Sequence, residues 1–114
     1  MADCLFCRIF AGEIPSTEVA SSPRTYAFRD LSPAAPTHVL VVPRDHIENA
    51  HTVAASDGEV MAEMLTTAQV VATAEGIADG GYRLVFNVGD AAGNTVPHLH
   101  LHVIGGRPLG WPPG

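Results

Sequence analysis

Apolar and polar positions along this chain fall into two kinds of period. The run THVLVVP, residues 37–43, is almost wholly apolar and β-branched, which predicts a buried central strand ended by Pro43. HLHLHVI, residues 98–104, alternates strictly and predicts a final strand. RTYAFRDL, 24–31, alternates in part and carries Tyr26 and Phe28, while TEVASS, 17–22, and YRLVFNV, 82–88, complete a set of five strands. Helical spacing is found over 57–78, where Val60, Met64, Thr67, Val71, Ala74 and Ala78 share one face. Ser56 suits its N-cap, Asp57 and Glu59 suit its positive end, and ADGG at 78–81 supplies a stop. Residues 4–11 predict one short helical turn, stopped by Gly12 and Pro15. The segments SPAAP, 32–36, and GDAAGNTVP, 89–97, read as a turn and a loop. Strands, one long helix, then strands again predict an α+β domain with a mainly antiparallel sheet, not repeated βαβ units. One domain over 1–114 is expected, with an irregular tail from 104 that carries Trp111.

Charge narrows the partners. The chain has 114 residues, a net charge of −6, and six arginines with no lysine. No basic stripe exists, which argues against a nucleic-acid partner. Without lysine, neither a Schiff base nor a lysine-bearing P-loop is available. No apolar stretch is long enough to span a membrane, and the N-terminus lacks the pattern of a signal peptide, so a cytoplasmic protein with reduced thiols is expected.

Half of the six histidines stand in one segment, at His98, His100 and His102. On a strand they project from one face, about 6.6 Å apart at Cα, while Leu99, Leu101 and Val103 project from the other. Three readings compete. A solvated strand face explains one or two histidines better than three. A metal ion suits an H-x-H pair, but a third histidine about 13 Å from the first does not reach the same ion. Phosphorus chemistry uses all of them: a neutral imidazole attacks, and its neighbours bind the anion or donate a proton.

Beyond the triad, HLHLHV matches the signature of the histidine triad (HIT) family of nucleotide hydrolases and transferases. The resemblance runs over nearly the whole chain, through CLFCRI…GEIPS, AFRDLSPAAPTHVLVVPRDHI and GYRLVFNVG…AGNTVPHLHLHVIGGR…WPPG. The ending WPPG resembles the Hint branch, whose members hydrolyse purine nucleoside phosphoramidates. This resemblance implies a HIT-like fold: a five-stranded sheet with one long and one short helix, joined into a ten-stranded sheet in a homodimer. It implies that His100 is the nucleophile, held by a backbone carbonyl at Nδ1. His98 would orient it, His102 would bind phosphate, and His38 would be a fourth active-site histidine. Asp30 would hold the ribose hydroxyls, and Phe28 and Leu31 would line the base pocket. Asn87 and the loop Gly93, Asn94, Thr95, Val96 would hold the phosphate and leaving group, and Trp111 would bear on leaving-group choice. Each has a plainer rival: Asp30 as a turn cap, His38 as a core histidine, Asn87 as turn chemistry, Phe28 and Leu31 as core. Thr95, Asn94 and Pro97 depart from common Hint residues, the first two standing where Ser and Gln are usual.

Cys4 and Cys7 form a C-x-x-C pair, weak by itself and without the βαβ context of a redox motif. Some bacterial HIT proteins pair this motif with two histidines around a structural zinc. The matching residues here are His46 and His98; the rival is a pair of buried thiols. No redox cofactor is implied, and His51 has no assigned role. The expected activity is therefore cleavage of a purine nucleoside 5′-phosphoramidate or acyl-nucleotide through a nucleotidyl-histidine. A dinucleoside polyphosphate hydrolase or nucleotidyl transferase, a non-catalytic nucleotide-binding protein, and a metal-dependent hydrolase using H-x-H are the alternatives.

Overall fold

In the computed structural model, which describes residues 4–114, the apolar run at 37–43 is the middle of a five-stranded antiparallel sheet. In chain order the elements are α1 (Leu5–Phe10), β1 (Glu18–Ser21), β2 (Thr25–Arg29), β3 (Thr37–Pro43), α2 (Gly58–Ala74), β4 (Tyr82–Val85) and β5 (Leu101–Gly105). The sheet order is β1-β2-β3-β5-β4. Every residue of β3 is buried because both faces of the sheet are covered, which is why its sequence does not alternate.

α2 covers one face. Its Met64, Ala68, Val71 and Ala72 pack on Ala27, Val39, Val41, Leu99, Leu101 and Val103. The opposite face carries α1: Cys4, Phe6 and Ile9 pack on Tyr26, Phe28, Leu40 and Val42. The period of two in HLHLHV therefore separates the faces as expected, with leucines and valine under α2 and histidines on the α1 side. Among the described residues no helix is long and apolar enough to cross a membrane.

Four boundaries that bear on the core or the site differ from the sequence expectation. α2 ends at Ala74, short of Ala78, because Gly76 takes φ +73° and turns the chain. The amide of Ile77 then bonds the Ala72 carbonyl at 3.0 Å and that of Gly76 bonds Thr73 at 3.2 Å, a Schellman closure that folds Ile77 into the core. At the other end Ser56 is no cap; it lies in a 3-10 turn, Ala55–Asp57, and Asp57 precedes the helix with no side-chain cap. β5 starts at Leu101 rather than His98, because the preceding amides bond outside the sheet: His98 to the Val96 carbonyl and Leu99 to that of Ile47. β4 likewise stops at Val85, which leaves Asn87 beyond the strand.

Candidate active site

The proton positions of the histidines follow from the groups fixed around them. His100 Nδ1 lies 2.7 Å from the main-chain carbonyl of His98. A carbonyl only accepts, so Nδ1 carries the proton and the Nε2 lone pair of the neutral ring is free. At His38 the order is reversed. The Ala34 amide donates to His38 Nδ1 at 2.9 Å, which puts the proton of neutral His38 on Nε2. That N–H meets His102 Nδ1 at 2.8 Å, so His102 carries its own proton on Nε2. Burial, then the neighbouring His100 and His38, push the His102 pKa down to about 4. His102 is therefore a neutral donor at pH 7. Its Nε2 stands 3.4 Å from Asn87 Nδ2. Two N–H donors converging without an acceptor between them are suited to one anionic oxygen.

These groups open on a cavity of about 270 Å³. His100, His102, Asn87, Thr95 and Gly93 line its polar side. Phe28, Leu40 and Val96 line the apolar side together with Leu5, Phe6 and Ile9 of α1. Leu31 is 94% exposed and forms an apolar lip. Asp30 also borders the cavity. Its Oδ1 accepts from the Ser32 amide at 2.8 Å and its Oδ2 lies 3.4 Å from His38 Nε2. Asp30 thus caps its turn and faces the site at once.

Leu5, Phe6, Ile9 and Leu40 were not anticipated as wall residues. Leu40 was readable, since it lies two positions from His38 on one strand face. α1 was not, because nothing in its spacing says where a six-residue helix docks. Two expected residues stand elsewhere. Asn94 lines a separate hollow with Glu48, Asn49 and Gly89, the chain having turned at Gly93 with φ +80°. Trp111 is 83% exposed and does not reach the cavity of its own chain.

His98 itself is fully buried and turned away from the cavity, into a cluster with Cys4, Cys7 and His46. Its Nε2 donates to the Pro43 carbonyl at 2.9 Å, leaving the Nδ1 lone pair free. That Nδ1 lies 3.1 Å from Cys4 Sγ, 3.6 Å from Cys7 Sγ and 3.1 Å from His46 Nδ1, with Cys7 Sγ 3.7 Å from His46 Nδ1. A tetrahedral ion bonded at about 2.3 Å to sulfur and about 2.0–2.1 Å to nitrogen spaces its donors roughly 3.3–3.8 Å apart. The separations of 3.1–3.7 Å come within a few tenths of an ångström of that spacing, and the bond to Pro43 is the outer support that metal-ligating imidazoles usually have.

Comparison with known proteins identifies the family. The model of the HIT domain matches residues 11–109. This chain belongs to the HIT family. Its relatives include the purine nucleoside phosphoramidase of Escherichia coli K12, 43% identical over 108 residues that cover 95% of this chain and 91% of that one. A 14 kDa zinc-binding protein of Zea mays is 41% identical, covering 96% and 87% of the two chains. Among solved structures, a HIT family hydrolase from Legionella pneumophila superposes with a TM-score of 0.95 at 49% identity, over 98% of this chain and 100% of that one.

In this HIT protein a second trio, Asp30, His38 and His102, is also close enough to hold a metal by distance. Proton placement argues against it. A neutral imidazole bound to metal at one nitrogen carries a proton on the other. His38 Nδ1 accepts a hydrogen bond from Ala34, so His38 cannot ligate through Nε2 while that bond stands. The HIT site of this chain accordingly has one donor set that could hold a metal and, beside it, one imidazole with a free lone pair in the cavity that the two fixed donors also line.

Proposed function

We propose that this HIT-family hydrolase cleaves the P–N bond, or the acyl–phosphate bond, of purine nucleoside 5′-phosphoramidates and acyl-nucleotides by way of a nucleotidyl-histidine. The observation that carries the reading is the 2.7 Å contact of His100 Nδ1 with the His98 carbonyl, which frees Nε2 for attack. His100 Nε2 forms a bond to the α-phosphorus, the P–N bond to the amine breaks, and the amine takes up a proton from solvent as it leaves, which the water of the second step returns. Water then attacks the same phosphorus, the P–Nε2 bond breaks, and nucleoside monophosphate departs. His102 Nε2–H and Asn87 hold the phosphoryl oxygens, with Gly93, Thr95 and Val96 beside them. Phe28, Leu31 and the α1 side chains receive the base, and Asp30 Oδ2 receives the ribose hydroxyls. The relative named purine nucleoside phosphoramidase supports the choice of substrate class.

Cys4, Cys7, His46 and His98 would hold a structural Zn2+, a reading supported by the donor spacing and by the maize relative named as zinc-binding. Zinc there would supply cohesion, not a reacting group. The reading includes a homodimer. β4 is one of the two outer strands of the sheet, and Leu84 and Val88 are each 40% exposed. A dimer is also the arrangement in which Trp111 could approach a neighbouring site. Sedimentation velocity tests this part.

The decisive experiment is turnover of adenosine 5′-phosphoramidate by the protein and by His100→Ala, with a mass spectrum of the acid-quenched reaction. Turnover confined to the unaltered protein, insensitive to chelator, with a nucleotidyl adduct on His100, is expected. Full activity in His100→Ala would overturn the mechanism. Tight mononucleotide binding without turnover would favour a binding protein instead.

A further inference from the structure

The two sides of the cavity are anchored in different ways. On the polar side, His98 and Leu99 are tied by their amides to Val96 and Ile47, and His98 Nε2 to Pro43. His102 is paired with Leu40 and Val85 within the sheet. The two amide bonds are main-chain bonds that do not use the cluster's side chains, and the Pro43 bond uses the His98 nitrogen opposite the one that faces the thiols. On the apolar side, Leu5, Phe6 and Ile9 all come from α1. The backbone bonds of α1 and the turn after it close within residues 4–14: Arg8 to Cys4, Ala11 to Cys7, Gly12 to Ile9, Glu13 and Ile14 to Arg8. The Arg8–Glu13 ion pair is also internal. Among the described residues, the polar contacts from this segment to the rest of the molecule are those of Cys4 and Cys7 with His98 and His46. Phe6 sits between these thiols in sequence. Its ring meets His100 at 5.0 Å, His98 at 5.8 Å and Phe28 at 5.6 Å between centroids.

We infer that Cys4 and Cys7 are positioning residues for the substrate: with a metal in the cluster they clamp α1 as the wall of the cavity, so metal occupancy and nucleotide affinity are coupled. Six residues of helix are too few to hold a shape alone. Without the metal, α1 rests on the packing of Phe6 and Ile9, and the wall they form loosens. The phosphate side keeps its own bonds, so the chemical step is preserved. This goes beyond a structural role for the ion, which would affect stability alone. It rests on the reading of the cavity as the nucleotide site.

Coupling of this kind is reciprocal. The test compares the zinc-loaded protein with His46→Ala stripped of zinc; His46 is exposed and lines no part of the cavity. Adenosine monophosphate affinity is measured by calorimetry, and zinc affinity by competition with a chromophoric chelator, with and without the nucleotide. The expected result is about tenfold weaker nucleotide binding in the stripped protein, and zinc bound about tenfold tighter when nucleotide saturates. KM for the phosphoramidate rises by a similar factor while kcat changes less than about twofold. Hydrogen exchange of amides 5–11 is faster in the stripped protein, and that of 101–105 is unchanged. Equal nucleotide affinity in both forms overturns the inference, as does a fall in kcat at constant KM or a protein that takes up no zinc. If the zinc-loaded protein binds no nucleotide, the functional reading fails, and exchange at 5–11 alone decides the clamp.

Discussion

His38 Nε2 stands 2.8 Å from His102 Nδ1, and the direction of that hydrogen bond is dictated from outside the pair, by the Ala34 amide bonded to His38 Nδ1. A backbone N–H cannot reverse its polarity, so the relay delivers a proton to the cavity side of His102 and nowhere else. Replacing His38 by Phe removes that constraint. The expected outcome is a mixture of His102 tautomers in place of Nε2–H alone, read from its imidazole 15N shifts, with lower kcat.

The depressed His102 pKa sets a pH dependence. The folded ring titrates at about 4, against about 6.5 in an unfolded chain. Between those values the unfolded state binds more protons, so unfolding free energy rises with pH there. The contribution is present above about pH 6.5 and is lost as pH falls towards 4. Thermal unfolding at a series of pH values should show this slope. His102→Gln should flatten it, and an unchanged slope would show that other groups govern acid unfolding.

Asn87 Nδ2 and His102 Nε2 converge at 3.4 Å, and a donor aimed at developing phosphoryl charge contributes mainly in the transition state. Asn87→Ala is expected to lower kcat by about 10²–10³-fold, with a much smaller change in KM. A rise in KM alone would place Asn87 in ground-state binding.

Leu101 is fully buried between His100 and His102 in sequence, on the opposite face of the strand. Leu101→Ala should cost about 2–5 kcal/mol of stability, measured by urea unfolding. A loss below about 1 kcal/mol would mean that α2 settles into the space.

Gly106 combines φ +95° with a neighbour that would lie 2.9 Å from an added Cβ, the ring of Pro36. Gly106→Ala is expected to destabilise by about 1–3 kcal/mol or more. Gly110→Ala, where a Cβ meets nothing within 4 Å, serves as the near-neutral control.

What the sequence disclosed, and what it withheld, divides along physical lines. Period is a property of the chain itself, so the buried run of β3, the face of α2 and the two-sided triad segment could be read from residue spacing. Strand and helix ends depend on where individual amides find partners. The Leu99 amide goes to Ile47, far off in sequence, and that shortens β5 without leaving a mark in its own composition. Gly76 did leave a mark, being a glycine near the end of a helical pattern, but ADGG was the louder signal. At the site, His100, His102 and Phe28 were brought to one cavity, with His38 against His102. Asn94 was not, because side-chain direction beyond a left-handed turn cannot be taken from alternation. α1 entered the wall unannounced because Phe6 and Ile9 pack on Phe28, Leu40 and Val42, and its thiols meet His46 and His98, all far off in sequence.

The carbonyl that holds His100 Nδ1 belongs to the main chain of His98. A side chain can be deleted by a single codon change; a peptide carbonyl cannot. Every substitution at position 98, proline included, still presents an oxygen there, whatever it does to the Cys/His cluster. The group that selects the proton position of His100 is thereby insulated from point mutation, and only a change in the path of the chain through residues 96–100 can take it away.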